Sequence, residues 1–125
     1  MTRKPYILYI EDERRAIDLV REALRPHGYE VTGAISGEEG LRQLRERIPD
    51  LILLDLMMPD TNGFDVYRVL KDTSSLAEIP VIVITARIPK SGRIIINGLP
   101  PVDDYITKPF KLDRLIRSVR GFLKE

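Results

Sequence analysis

A chain of 125 residues, 43% hydrophobic and 31% charged with a formal net charge of +1, has the make-up of one ordinary globular domain spanning 1–125. Lys/Arg interleave with Asp/Glu, so no basic field exists for nucleic acid or a membrane surface, and no run approaches the roughly 18 apolar residues of a membrane span. The absence of cysteine excludes disulfides and thiolate metal sites, and the few apolar residues after Met1-Thr2-Arg3-Lys4-Pro5 fall far short of a signal sequence, so a cytoplasmic location is expected.

In chain order, apolar strand-like runs alternate with amphipathic segments, the βαβ pattern of a doubly wound sheet. Ile7-Leu8-Tyr9-Ile10 reads as a first strand running into Glu11-Asp12-Glu13. Ile17, Val20, Ala23 and Leu24 then repeat at helical spacing until Pro26-His27-Gly28 stops the helix. Tyr29 to Ala34 alternates as a second strand. Ser36-Gly37-Glu38-Glu39 opens the next helix as a capping box, with Leu41, Leu44 and Ile48 expected inward. Leu51-Ile52-Leu53-Leu54-Asp55, bounded by Pro49 and Pro59, is a strand apolar enough to be buried on both faces. Phe64, Val66, Tyr67 and Leu70 mark a third helix, and residues 80–85 a fourth strand ending at Thr85. Residues 104–107 form a fifth, followed by a helix carrying Leu112, Leu115, Ile116, Val119 and Leu123. Between Thr85 and Asp103 the rhythm breaks. Ile94-Ile95-Ile96 cannot all share one helix face, and Pro89, Pro100 and Pro101 fence the segment. A helix there either is short, from an N-cap at Ser91 to a C′ residue at Gly98, or does not form.

Strand ends carry the chemistry-bearing residues, and ligands of open α/β sheets bind outside the carboxyl ends of the strands. Glu11, Asp12 and Asp55 would converge as an all-oxygen site that suits Mg²⁺ better than zinc or iron. Asp carboxylates accept phosphoryl groups, a Lys supplies compact positive charge for phosphoryl oxygens, and a Thr hydroxyl can donate to one. The set therefore reads as a phosphoryl-transfer site, with Asp55 as nucleophile, Glu11 and Asp12 for metal, and Thr85 and Lys108 for the phosphoryl oxygens. Singly, each has a plainer reading: a turn aspartate, a strand-end hydroxyl, a solvated lysine. Glu13 suits the first turn of its helix rather than a metal. His27 sits in an exposed turn, and Arg14, Arg15, Arg21 and Arg25 make a solvated helix face.

Together, Glu11-Asp12-Glu13, Asp55, Met58-Pro59-Asp60-Thr61-Asn62-Gly63, Thr85-Ala86 and Asp104-Tyr105-Ile106-Thr107-Lys108-Pro109-Phe110 resemble the receiver domain of bacterial two-component response regulators over essentially the whole chain. The resemblance implies a flavodoxin-like, doubly wound five-stranded parallel sheet in the order 2-1-3-4-5. It also implies transfer of a phosphoryl group from the phosphohistidine of a histidine kinase or phosphotransfer protein to Asp55. Asp12, Asp55 and the main-chain carbonyl of Met57 would bind Mg²⁺, with Glu11 assisting through water. Thr85 and Tyr105 would form a switch pair, Lys108 would hold the phosphoryl group, and the Lys108-Pro109 bond would be cis. The domain would catalyse only its own phosphorylation and dephosphorylation.

Departures from the family concentrate in the irregular segment. Where most receivers carry a Gly-Ala pair, Pro101 and Val102 stand here, and proline cannot take the positive φ of a helix C′ glycine. An atypically short fourth helix is expected, on the face the family uses for dimerisation and output, where a homodimer could form. No output segment follows Leu123, so output is expected from a downstream protein partner or from sequence absent here. The rival reading is a pseudo-receiver scaffold, but such modules usually lose the acceptor, an acid or the lysine, and all three are present. A flavodoxin-like cofactor binder lacks support, because no Gly-rich turn follows the first strand.

Overall fold

A computed structural model describes residues 3–59, 61–86 and 101–123. Five strands form one parallel sheet: β1 (Tyr6–Ile10), β2 (Glu30–Ala34), β3 (Leu51–Leu54), β4 (Val81–Thr85) and β5 (Asp104–Thr107), in the order β2-β1-β3-β4-β5. Every residue of β1, β3 and β4 is buried, as their unbroken apolar sequences require of strands covered on both faces.

Two-residue alternation sorts these side chains into two cores. Leu8, Ile10, Ile52, Leu54, Val81 and Val83 face α2 (Gly37–Glu46) and α3 (Gly63–Asp72), meeting Leu44, Val66, Tyr67 and Leu70. Ile7, Tyr9, Leu51, Leu53, Ile82 and Ile84 face α1 (Arg14–Leu24) and the C-terminal helix (Leu112–Phe122), meeting Ile17, Val20, Leu24, Leu115 and Val119. The helical spacing of those last residues is the stripe that drives each helix onto the sheet.

Element boundaries follow local chemistry. After α1, a single 3₁₀ turn (Arg25–His27) ends at Gly28, whose φ of 86° lies in the left-handed region that glycine adopts without a Cβ penalty. At the start of α2, Ser36 Oγ accepts from the Glu39 N–H at 3.1 Å, capping as its sequence predicts. The Glu39 carboxylate accepts from the Ile35 N–H at 3.0 Å, one residue upstream of the N-cap. Ile48 departs from expectation, being 48% exposed. The helix stops at Glu46 and Arg47 is extended, because the approach to Pro49 disfavours helical backbone and turns residue 48 off the inward stripe.

The short fourth helix expected over 91–98, and the three isoleucines within it, lie outside the described residues. Its downstream flank is anchored. The Pro101 carbonyl accepts from the Tyr67 hydroxyl at 3.2 Å, Val102 packs partly buried against the core, and the Asp103 carboxylate accepts from the Val81 N–H at 2.8 Å.

Candidate functional site: an acidic cluster with a lysine across it

Order β2-β1-β3 places β1 between two parallel neighbours reached by connections on opposite faces, the switch point where open α/β sheets form their crevice. The first residue beyond each strand continues the ladder. The Glu11 N–H donates to the Ala34 carbonyl at 2.9 Å, and the Asp55 N–H donates to the Ile10 carbonyl at 3.1 Å. Both acids are thus fixed by main-chain bonds at the sheet's carboxyl edge. Asp12 follows on the exposed side.

One carboxylate oxygen from each of Glu11, Asp12 and Asp55 lies within 4.8 Å of the other two. Glu11 is 1% and Asp55 4% exposed, so their negative charges are held close together with little water to screen them. Among the described residues the counter-charge comes from Lys108, whose ammonium donates to Asp55 Oδ2 at 3.0 Å and also to Glu11 Oε1. Burial works against the charge on Lys108, yet the bonds to Glu11 and Asp55 outweigh it and raise its pKa above the ordinary value. A set of three carboxylates, one of them open to solvent, fits a hard divalent cation that keeps part of its water shell.

Every carboxylate oxygen of the two buried acids has at least one donor. The Tyr9 hydroxyl reaches Glu11 Oε1 at 3.1 Å, and the Glu13 N–H reaches Oε2 at 3.1 Å. Burial first, then the nearby Glu11 charge, pushes the Tyr9 phenol far above its ordinary pKa, so it acts as a donor. Asp55 Oδ1 accepts from the Met57 N–H at 2.9 Å. Met57–Met58 pairs antiparallel with Thr61–Asn62, folding the loop after Asp55 back on itself. Gly63 closes that loop: a Cβ there would stand 2.5 Å from Leu56 Cα and 2.6 Å from the Asp55 carbonyl oxygen, so only glycine permits the approach.

Thr85, 1% exposed, ends β4, and its carbonyl accepts from the Lys108 N–H at 2.8 Å, which sets the lysine one step past β5. The Lys108-Pro109 peptide is cis. Tyr105, in β5, is partly buried against the core on the α2/α3 face. Its neighbour Asp104 accepts from Arg114 at 3.1 Å and from Ser118. Burial opposes the Asp104 charge, but bonds from Arg114, Ser118 and the Tyr105 N–H hold its carboxyl below the ordinary range.

Of the residues singled out by sequence, Glu11, Asp12, Asp55 and Lys108 meet at one point. Met57 and Thr85 join them through the main-chain bonds just described, and Tyr105 packs from β5. Sequence reading missed Tyr9, whose signal is a polar-tipped aromatic two residues before Glu11 within an otherwise apolar strand.

The model of the family described as response regulator receiver domain matches residues 7–120. Among curated proteins, the chain is 36% identical over 121 residues to the phosphate regulon transcriptional regulatory protein PhoB of Rhizobium meliloti, covering 96% of this chain and 52% of that protein. It is 40% identical over 119 residues to the transcriptional regulatory protein AfsQ1 of Streptomyces coelicolor, covering 92% and 51%. The chain thus spans about half the length of the curated relatives it matches. Among solved structures, the signal receiver domain of a signal transduction histidine kinase from Syntrophus aciditrophicus superposes with a TM-score of 0.82 at 32% identity, over 95% of this chain and 89% of that one. A response regulator from Thermotoga maritima gives 0.81 at 26%, over 98% and 99%. With the fold, the strand-end acids and the family match in agreement, the chain belongs to the receiver domains of two-component response regulators.

Proposed function

We propose that Asp55 accepts a phosphoryl group from the phosphohistidine of a histidine kinase or phosphotransfer protein. The observation that carries this reading is the pairing of a 4% exposed carboxylate at a strand end with the Lys108 ammonium at 3.0 Å, beside two further acids. An Asp55 oxygen forms the new bond to phosphorus as the bond from phosphorus to the donor's imidazole nitrogen breaks, and that nitrogen keeps the electron pair. Lys108 moves its positive charge onto the phosphoryl oxygens, and the Thr85 hydroxyl donates to one of them. Mg²⁺ would be held by Asp12, Asp55 and the Met57 carbonyl with Glu11 behind them, supplying positive charge against the acids and the incoming group. Thr85 and Tyr105 act as the switch pair that reports the charge change to the β4–β5 face.

Output passes to a protein partner or to an output domain outside this chain, as the length of the relatives suggests. Two relatives are named transcriptional regulatory proteins, which supports control of transcription as the eventual output, exerted outside the receiver. A cytoplasmic site of action accords with the absence, among the described residues, of any helix long and apolar enough to cross a membrane. The reading is tested by incubating the chain with acetyl phosphate and Mg²⁺ and weighing the intact protein. A gain of one phosphoryl group, lost when a chelator is present, is expected. No gain, or equal gain with chelator, would overturn it.

A further inference from the structure

Position 9 of β1 faces the α1-side core, where any apolar side chain would serve, yet the chain places a tyrosine there. Tyr9 is 0% exposed, and its hydroxyl donates to Glu11 Oε1, the same oxygen that accepts from Lys108. We infer that Tyr9 is a positioning residue for the acceptor, its hydroxyl holding Glu11 so that Lys108 is shared with Asp55 rather than captured by Glu11 alone. The inference rests on the proposed function, because it concerns the lysine's service to phosphoryl oxygens.

A buried carboxylate with a single cationic neighbour would hold that cation tightly. Here a second donor on Oε1 takes up part of the oxygen's negative charge, and the Glu13 N–H bonds Oε2 at 3.1 Å, so both carboxylate oxygens are held by donors other than the lysine. Lys108 keeps its second contact, to Asp55 Oδ2 at 3.0 Å, and stays aimed at the atoms that would carry the phosphoryl group. The Tyr9 hydroxyl and the Lys108 ammonium share one Glu11 oxygen, so the effect of losing the hydroxyl is read first through Lys108.

Tyr9→Phe removes the hydroxyl and keeps the ring in the core. The full chain is titrated with beryllofluoride, a phosphoryl mimic, in saturating Mg²⁺, and Mg²⁺ half-saturation and thermal midpoint are measured alongside. Beryllofluoride affinity should fall about tenfold, the scale of one redistributed charge-assisted hydrogen bond. Mg²⁺ half-saturation should move less than twofold. In a Lys108→Ala background, Tyr9→Phe should add less than twofold, since the group it acts through is gone. A packing role would lower the melting point and leave these couplings flat. Unchanged beryllofluoride affinity in Tyr9→Phe, or a full effect persisting without Lys108, overturns the inference while leaving Asp55 as acceptor. A wild-type chain that binds no beryllofluoride and takes no phosphoryl group overturns the proposed function, and this inference with it.

Discussion

Replacing Lys108 by methionine should destabilise the metal-free protein more than any exposed ion pair could. Methionine keeps most of the lysine stem and deletes only the ammonium. What remains is Glu11, with a side chain 1% exposed, and Asp55, 5% exposed, each stripped of a charge-assisted hydrogen bond. Breaking a buried pair by removing one partner costs roughly 3–5 kcal/mol, and because the Lys108 side chain is itself 26% exposed, the lower end, about 3 kcal/mol, is expected. For a chain of 125 residues that corresponds to a drop in melting temperature of about 10 °C. The chain has no tryptophan, so urea unfolding followed by far-ultraviolet circular dichroism is the suitable assay. The Lys108 pKa is raised on folding, so its stabilisation is complete below the unfolded lysine value of about 10.4 and disappears as pH climbs through the higher folded value. The gap between wild type and Lys108→Met should therefore be flat from neutral pH upward and close only above about pH 10.4. Mg²⁺ should narrow it as well, because the orphaned carboxylates gain more from a divalent ion than those already paired. A methionine variant as stable as wild type, or a gap indifferent to Mg²⁺, would refute the reasoning.

Three further outcomes are expected. Mg²⁺ at a hundredfold excess over its dissociation constant should stabilise the wild type by about 2.7 kcal/mol and barely shift Asp12→Ala; equal thermal shifts would place the ion elsewhere. Gly63→Ala should cost about 2 kcal/mol in urea unfolding and slow acetyl phosphate labelling, since the new methyl group meets the backbone that carries Asp55. Asp50 accepts from Arg3 and from the Tyr6 N–H, and Arg3 chiefly, against burial, holds its carboxyl below the ordinary range. Its stabilisation is present above the unfolded value of about 3.9 and is lost as pH falls through the lower folded value, so Asp50→Asn should lose less stability than wild type on acidification below pH 4.

Strand-level organisation was legible because buried parallel strands write themselves as apolar runs: Leu51–Leu54 and Val81–Thr85 are buried throughout. The position of Asp55 one residue past such a run carried most of the site, since a strand end fixes where a side chain can go. Convergence of the strand-end residues was legible, but the individual bonds between elements were not. Lys108 reaching Glu11, 97 residues away in sequence, depends on β5 register and on a main-chain bond to the Thr85 carbonyl, neither of which leaves a local signature. The Asp104–Arg114–Ser118 cluster was missed for the same reason, as a strand residue met by a later helix. Ile48 was misjudged because helical periodicity was carried past the point where Pro49 ends the helix.

The most direct test of Asp55 as acceptor is the intact mass of Asp55→Asn after acetyl phosphate and Mg²⁺ treatment, beside wild type in the same preparation. Wild type should gain one phosphoryl group and Asp55→Asn none, although both remain folded. A variant that gains the same mass as wild type would contradict the assignment of Asp55.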